Sequence, residues 1–155
     1  MFFRKNTLLF RNAAITHELT HVLAPNGNRF LAEGLAVYAQ EHLKGLSAYP
    51  NDGEDIHTLA KEFSEQANLS DLDEQATPSS LSVDGLSVRE AYLVSGSFVR
   101  YLIERYGMKK FRELYALSPF QSYRRNAGSS GRWKDVYKKS LKSLEADWRA
   151  MLGKL

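Results

Sequence analysis

The first apolar pattern with a helical period runs over residues 12–24. There Ala13, Ala14, Ile15, Leu19, Val22 and Leu23 predict a helix buried inside the protein. A second follows over 29–43, with Phe30, Leu31, Leu35, Ala36 and Val37 as its apolar set and Gly45 as its stop. Between them Pro25-Asn26-Gly27-Asn28 is a turn. Residues 46–53 read as a loop, and 54–67 as an amphipathic helix through Ile56, Leu59, Ala60 and Phe63. The stretch from Asp71 to Asp84, rich in turn formers and acids, is expected to be an exposed connection at the rim of a cleft. Ser87-Val88-Arg89-Glu90 is a capping box that opens a long helix over 88–106, ended by Gly107. A further helix covers 108–118. The segment from Ser118 to Gly131 reads as flexible, and Trp133–Leu141 and Leu144–Leu152 close the chain as two short helices. The longest strand candidate, Thr7-Leu8-Leu9-Phe10, could equally extend the first helix. The pattern predicts a mainly α fold, one domain over 1–155, with little or no β-sheet ahead of the first helix.

Composition narrows the class. At 155 residues, 43% hydrophobic and 25% charged, the chain has room for one core. It holds no run of 18 or more apolar residues, so no integral membrane segment is expected. Met1-Phe2-Phe3-Arg4-Lys5 does not read as a signal peptide, so the sequence as it stands reads as cytoplasmic, while the lack of cysteine fits either side of a membrane and leaves the location open. Without cysteine, metal chemistry falls to histidine and carboxylate. The net charge of +3 hides an asymmetry: residues 97–155 carry 14 Lys or Arg against 5 Asp or Glu. Lys109-Lys110, Arg124-Arg125 and Lys138-Lys139 lack the aromatic interleaving of a strand-binding groove, which argues against nucleic acid as the partner.

The candidate chemistry sits on the first two helices. His17 and His21, four residues apart, bring two imidazoles to one helix face, and Glu18 beside the first can address a metal-held water. If the turn at 25–28 folds the second helix back, Glu33 at its start reaches the same ion as a third ligand. Three protein ligands leave a fourth position open, the arrangement of a catalytic rather than a structural Zn2+.

His17-Glu18-Leu19-Thr20-His21, followed by Phe30-Leu31-Ala32-Glu33-Gly34-Leu35-Ala36-Val37-Tyr38, resembles the gluzincins, zinc metallopeptidases whose third ligand is a glutamate. Among these it is most similar to the peptidase MA-like domains. Glu90-Ala91-Tyr92, the segment from Ser95 to Leu102, Tyr106-Gly107 and Leu144 to Arg149 add a looser likeness, so the resemblance runs from about residue 13 to the C-terminus. It implies a zincin-like helical metallopeptidase domain that hydrolyses peptide bonds in a peptide or protein substrate, whereas the spacing alone implies only a hydrolytic metal site. It also implies Glu18 as general base and a tyrosine or histidine as oxyanion donor. Tyr92 is the candidate donor, the alternative being core packing with its hydroxyl at the surface. Tyr101, Tyr38, His42 and His57 compete less well, and His42 and His57 read as solvated. Gln40, on the face of Glu33, reads as solvated rather than as an orienting residue. Some gluzincins place an acid one turn after the glutamate ligand, and here that position is Val37.

The sequence departs from the family at its start. Gluzincin catalytic domains usually carry a sheet before the metal helix whose edge takes up substrate, and here 16 residues precede His17. Two expectations follow: a compact helical peptidase, or the N-terminally truncated part of a longer one. The second allows a catalytically inactive remnant that binds zinc or a protein, and an uncovered apolar face on the metal helix that self-associates.

Overall fold

The structure, a computed structural model, describes residues 14–44, 47–75, 81, 85–118 and 129–155. The protein is mainly helical, with eight helices and no β-strand among the described residues. They are α1 (Ile15–Leu23), α2 (Arg29–His42), α3 (Ile56–Lys61), α4 (Leu69–Gln75), α5 (Val88–Tyr106), α6 (Met108–Ala116), α7 (Arg132–Tyr137) and α8 (Leu141–Leu152). None is long and apolar enough to cross a membrane.

The long helix α5 is the axis of the core. Its capping box forms as the sequence predicts, with Ser87 accepting from the Glu90 N–H and Glu90 accepting from the Ser87 N–H. Gly107, at φ 88°, ends it in a conformation that a side chain resists. Leu93, Val94, Phe98, Val99 and Leu102 on α5 are fully buried. Phe98 is the hub, its ring 5.8 Å from Phe30 of α2, 6.0 Å from Trp133 of α7 and 5.9 Å from Trp148 of α8. Helices α2 and α5 cross where both carry glycine. A Cβ on Gly34 would lie 2.6 Å from the Ser95 carbonyl oxygen, and one on Gly96 would lie 2.5 Å from Val37 Cγ1. Gly34 and Gly96 therefore let α2 and α5 approach closely.

The turn before α2 is held at both ends. Asn28 caps α2 by accepting from the Leu31 N–H at 3.0 Å, and its amide donates to Asp73 Oδ1 of α4 at 2.8 Å. Asn26 Oδ1 accepts from the Asn28 N–H, while its amide donates to the Tyr115 carbonyl at 2.7 Å. Tyr115 of α6 returns its hydroxyl to the Ala24 carbonyl at 2.7 Å, and the Gly27 N–H donates to the Ser118 carbonyl. The turn that brings α1 beside α2 is thus clamped by a helix some 90 residues later in sequence.

Several expectations are corrected. The first helix is not buried: on α1 only His17 is, while Leu19, Val22 and Leu23 are exposed, the last at 81%. Ile15, Leu19, Val22 and Leu23 do share one face of α1, away from His17, but among the described residues nothing covers that face. The exposed connection expected from Asp71 begins instead as α4, with Leu72 and Asp73 buried, and Leu81 is buried too. The acids misled there, because Asp73 is an internal carboxylate paired with Arg132 and accepting from Trp133 Nε1 at 3.1 Å and Asn28 Nδ2. Burial raises its pKa, opposed by the Arg132 charge and those hydrogen bonds. Helix α3 is shorter than the predicted 54–67, starting at an Asp55 cap and giving way to turns after Lys61. The break between the last two helices falls at 138–140, where Lys138 turns left-handed and Ser140 caps α8, so Leu141 opens the final helix rather than closing the one before it. The strand candidate Thr7–Phe10, the stop at Gly45 and the loop residues 119–128 lie outside the described residues.

Candidate metal centre

Two helices supply the site. Four residues is close to one turn, so His17 and His21 on α1 face the same side, and their rings meet edge to face at 4.9 Å. Helix α2 runs back alongside and delivers Glu33 from its second turn, with no solvent exposure. Glu33 Oε2 lies 3.0 Å from His17 Nε2 and 3.3 Å from His21 Nε2, and the two imidazole nitrogens are 3.2 Å apart. Three donor atoms from three side chains form one near-equilateral triangle. The group can hold a metal ion.

A buried carboxylate needs compensation, and Glu33 has it. Burial pushes its pKa up, but hydrogen bonds from His17 and His21 and the charge of Arg29 more than offset this and bring it down to about 2. Arg29, one turn earlier on α2, places Nη2 2.6 Å from Glu33 Oε1. Sequence reasoning missed Arg29, although its spacing of four from Glu33 is that of a helix ion pair. The same Nη2 donates to the Tyr92 hydroxyl at 3.2 Å.

Tyr92 is therefore at the site. Its ring stacks on His17 with centroids 6.1 Å apart, and Tyr49 meets it edge-on at 5.9 Å. Burial first, and the nearby Glu33 charge second, raise its pKa, so the hydroxyl keeps its proton. Its oxygen accepts from Arg29, and its hydroxyl also hydrogen-bonds to the Glu33 carboxylate, which helps to hold the proton on it. Glu18, beside His17, is exposed. Among the described residues no hydrogen-bond partner orients His17 Nδ1.

Of the weaker candidates, His42 is exposed as expected and stacks on Tyr38. His57 and Gln40 are not solvated. His57 is buried, with Nδ1 2.7 Å from Ser97 Oγ, which also accepts from Trp148 Nε1 at 2.9 Å. Gln40 is buried because the loop folds over it: its amide donates to the Ala48 carbonyl at 3.1 Å and to Asn51 Oδ1 at 3.2 Å. Through these bonds, and one to the Tyr49 carbonyl at 3.4 Å, it holds the loop that carries Tyr49. Tyr38 and Tyr101 are buried core residues, Tyr101 in ring contact with Phe98.

Compared with protein-family models, curated proteins and solved structures, the chain matches none.

Proposed function

We propose that the protein is a zinc-dependent peptidase in which His17, His21 and Glu33 hold the metal, Glu18 is the general base and Tyr92 donates to the oxyanion. The observation that carries the reading is the donor triangle. Zinc bonds of about 2.0–2.1 Å in a tetrahedron put neighbouring ligand atoms about 3.3–3.4 Å apart, and the three edges here are 3.0, 3.2 and 3.3 Å. Two imidazoles and a carboxylate suit zinc chemically and leave one tetrahedral position for water or substrate. When bound, zinc lowers the pKa of a coordinated water and polarises a carbonyl.

The residues then divide the remaining work. Glu18 adjoins a ligand yet is exposed, so its carboxylate is free to take a proton from water and return it to the leaving nitrogen. Tyr92 supplies a protonated hydroxyl whose oxygen is already fixed by Arg29. The zincin-like assignment rests on the order metal helix, turn, glutamate helix and on the sequence likeness to gluzincins. A substitution separates metal binding from proton transfer: Glu18→Gln keeps zinc near wild-type occupancy and loses peptide hydrolysis. A Gln variant that cleaves a peptide library as fast as wild type removes Glu18 from the role.

One observation favours the alternative of a binding-only remnant. Among the described residues there is no strand whose edge could pair with an extended peptide. A wild-type protein that binds zinc and cleaves nothing in a broad library supports that reading.

A further inference from the structure

We infer that Arg29 is a positioning residue that makes Glu33 a one-oxygen ligand, an inference that rests on the zinc reading above. The two oxygens of Glu33 have different partners. Oε1 is held 2.6 Å from Arg29 Nη2, while Oε2 is turned to both imidazole nitrogens. A carboxylate whose second oxygen is committed to a guanidinium cannot swing to chelate without breaking that ion pair. Bidentate binding would use the position that water or substrate needs, so the pair keeps the fourth site open.

The location of Arg29 fits this role. It is the first residue of α2, where a cation opposes the helix dipole, and the first turn carries no acid to offset it. Glu33 is fully buried and an uncompensated carboxylate there would be strongly disfavoured. The same Nη2 also donates to Tyr92, so one guanidinium nitrogen sets both the ligand and the oxyanion donor. An opposing effect is present: a fixed cation repels an incoming metal ion. The inference is that holding the ligand oxygen in place outweighs that repulsion, because removing a residue that orients a ligand typically weakens metal affinity by about 10–100-fold.

The test compares wild type with Arg29→Met, Arg29→Gln and Arg29→Lys, using chelator competition for zinc and the visible spectrum of the cobalt-substituted protein. The expected result is zinc binding weakened about 10–100-fold in the Met and Gln variants, with partial recovery in Lys. The cobalt bands weaken in Met and Gln as the freed carboxylate chelates and the ion moves toward five-coordination, a change that lost packing alone does not produce. Either neutral variant suffices should the other fail to fold. Met or Gln variants that bind zinc as tightly as wild type or tighter, with an unchanged cobalt spectrum, overturn the inference while the zinc site stands. A wild type that binds no zinc overturns the zinc reading itself and this inference with it.

Discussion

Replacing Gly34 by alanine tests whether the close crossing of α2 and α5 sets the position of Glu33. A Cβ there would lie 2.5 Å from Val99 Cγ2, 2.6 Å from the Ser95 carbonyl oxygen and 3.0 Å from its carbon. Ordinary carbon contacts begin near about 3.5 Å, so the helices must part by up to about 1 Å. The valine methyl can rotate away, but the Ser95 carbonyl belongs to α5 backbone and cannot. Alanine gains about 1 kcal/mol of helix propensity over glycine. Overpacking costs about 1–3 kcal/mol, and a backbone obstacle places this case at the upper end. The net loss is about 2 kcal/mol, which for a domain of this size lowers Tm by about 4–8 °C. Glu33 precedes Gly34, so the displacement also carries the carboxylate away from the two imidazoles and weakens zinc binding. Thermal and urea unfolding, with Gly153→Ala as control, measure the effect: a Cβ at Gly153 meets nothing nearer than 3.5 Å. Equal or greater stability for Gly34→Ala would refute the tight-crossing argument.

Two further outcomes are expected. Tyr92→Phe lowers kcat by about 10²-fold and spares zinc; steady-state kinetics with an unchanged kcat remove Tyr92 as oxyanion donor, and a fall in Tm with normal turnover assigns its hydroxyl to a structural hydrogen bond with Arg29. Burial, with help from the Arg100 charge, lowers the His57 pKa from its ordinary 6.5 against the pull of Glu104 and Asp55. The unfolded chain then takes up protons before the folded one, so this group's contribution is intact above about pH 6.5 and is lost as pH falls below it, with a slope of at most about 1.4 kcal/mol per pH unit. Urea unfolding between pH 5 and 7.5 should show a shallower acid loss in His57→Gln than in wild type; identical slopes contradict the assignment.

Local signals made much of this protein legible in its sequence. The capping box at Ser87–Glu90 and Gly107 fixed α5 to the residue, because a cap and a left-handed glycine are local devices. His17, His21 and Glu33 were legible as one cluster for the same reason: a four-residue spacing and a short turn place them with no knowledge of the rest. What the sequence concealed depends on distant partners. Asp73 reads as a loop acid until Arg132 and Trp133, some 60 residues on, enclose it. Gln40 and His57 read as solvent-facing until a loop and a serine meet them inside the protein. Leu19, Val22 and Leu23 show the reverse error, since periodicity reports that a face is apolar and not that anything covers it. Arg29 was within reach of the i, i+4 rule, since its pairing with Glu33 is as local as that of the two histidines.

The measurement that bears most directly on the central claim is zinc stoichiometry of the purified, reconstituted protein beside His21→Ala. His21 is part-exposed on α1, a helix on which His17 is the buried residue, and Arg29 still compensates Glu33 in its absence, so the variant should keep the wild-type circular dichroism. The account predicts one zinc per chain in wild type and essentially none in His21→Ala. A wild type that takes up no zinc, or a variant that retains it fully, would contradict it.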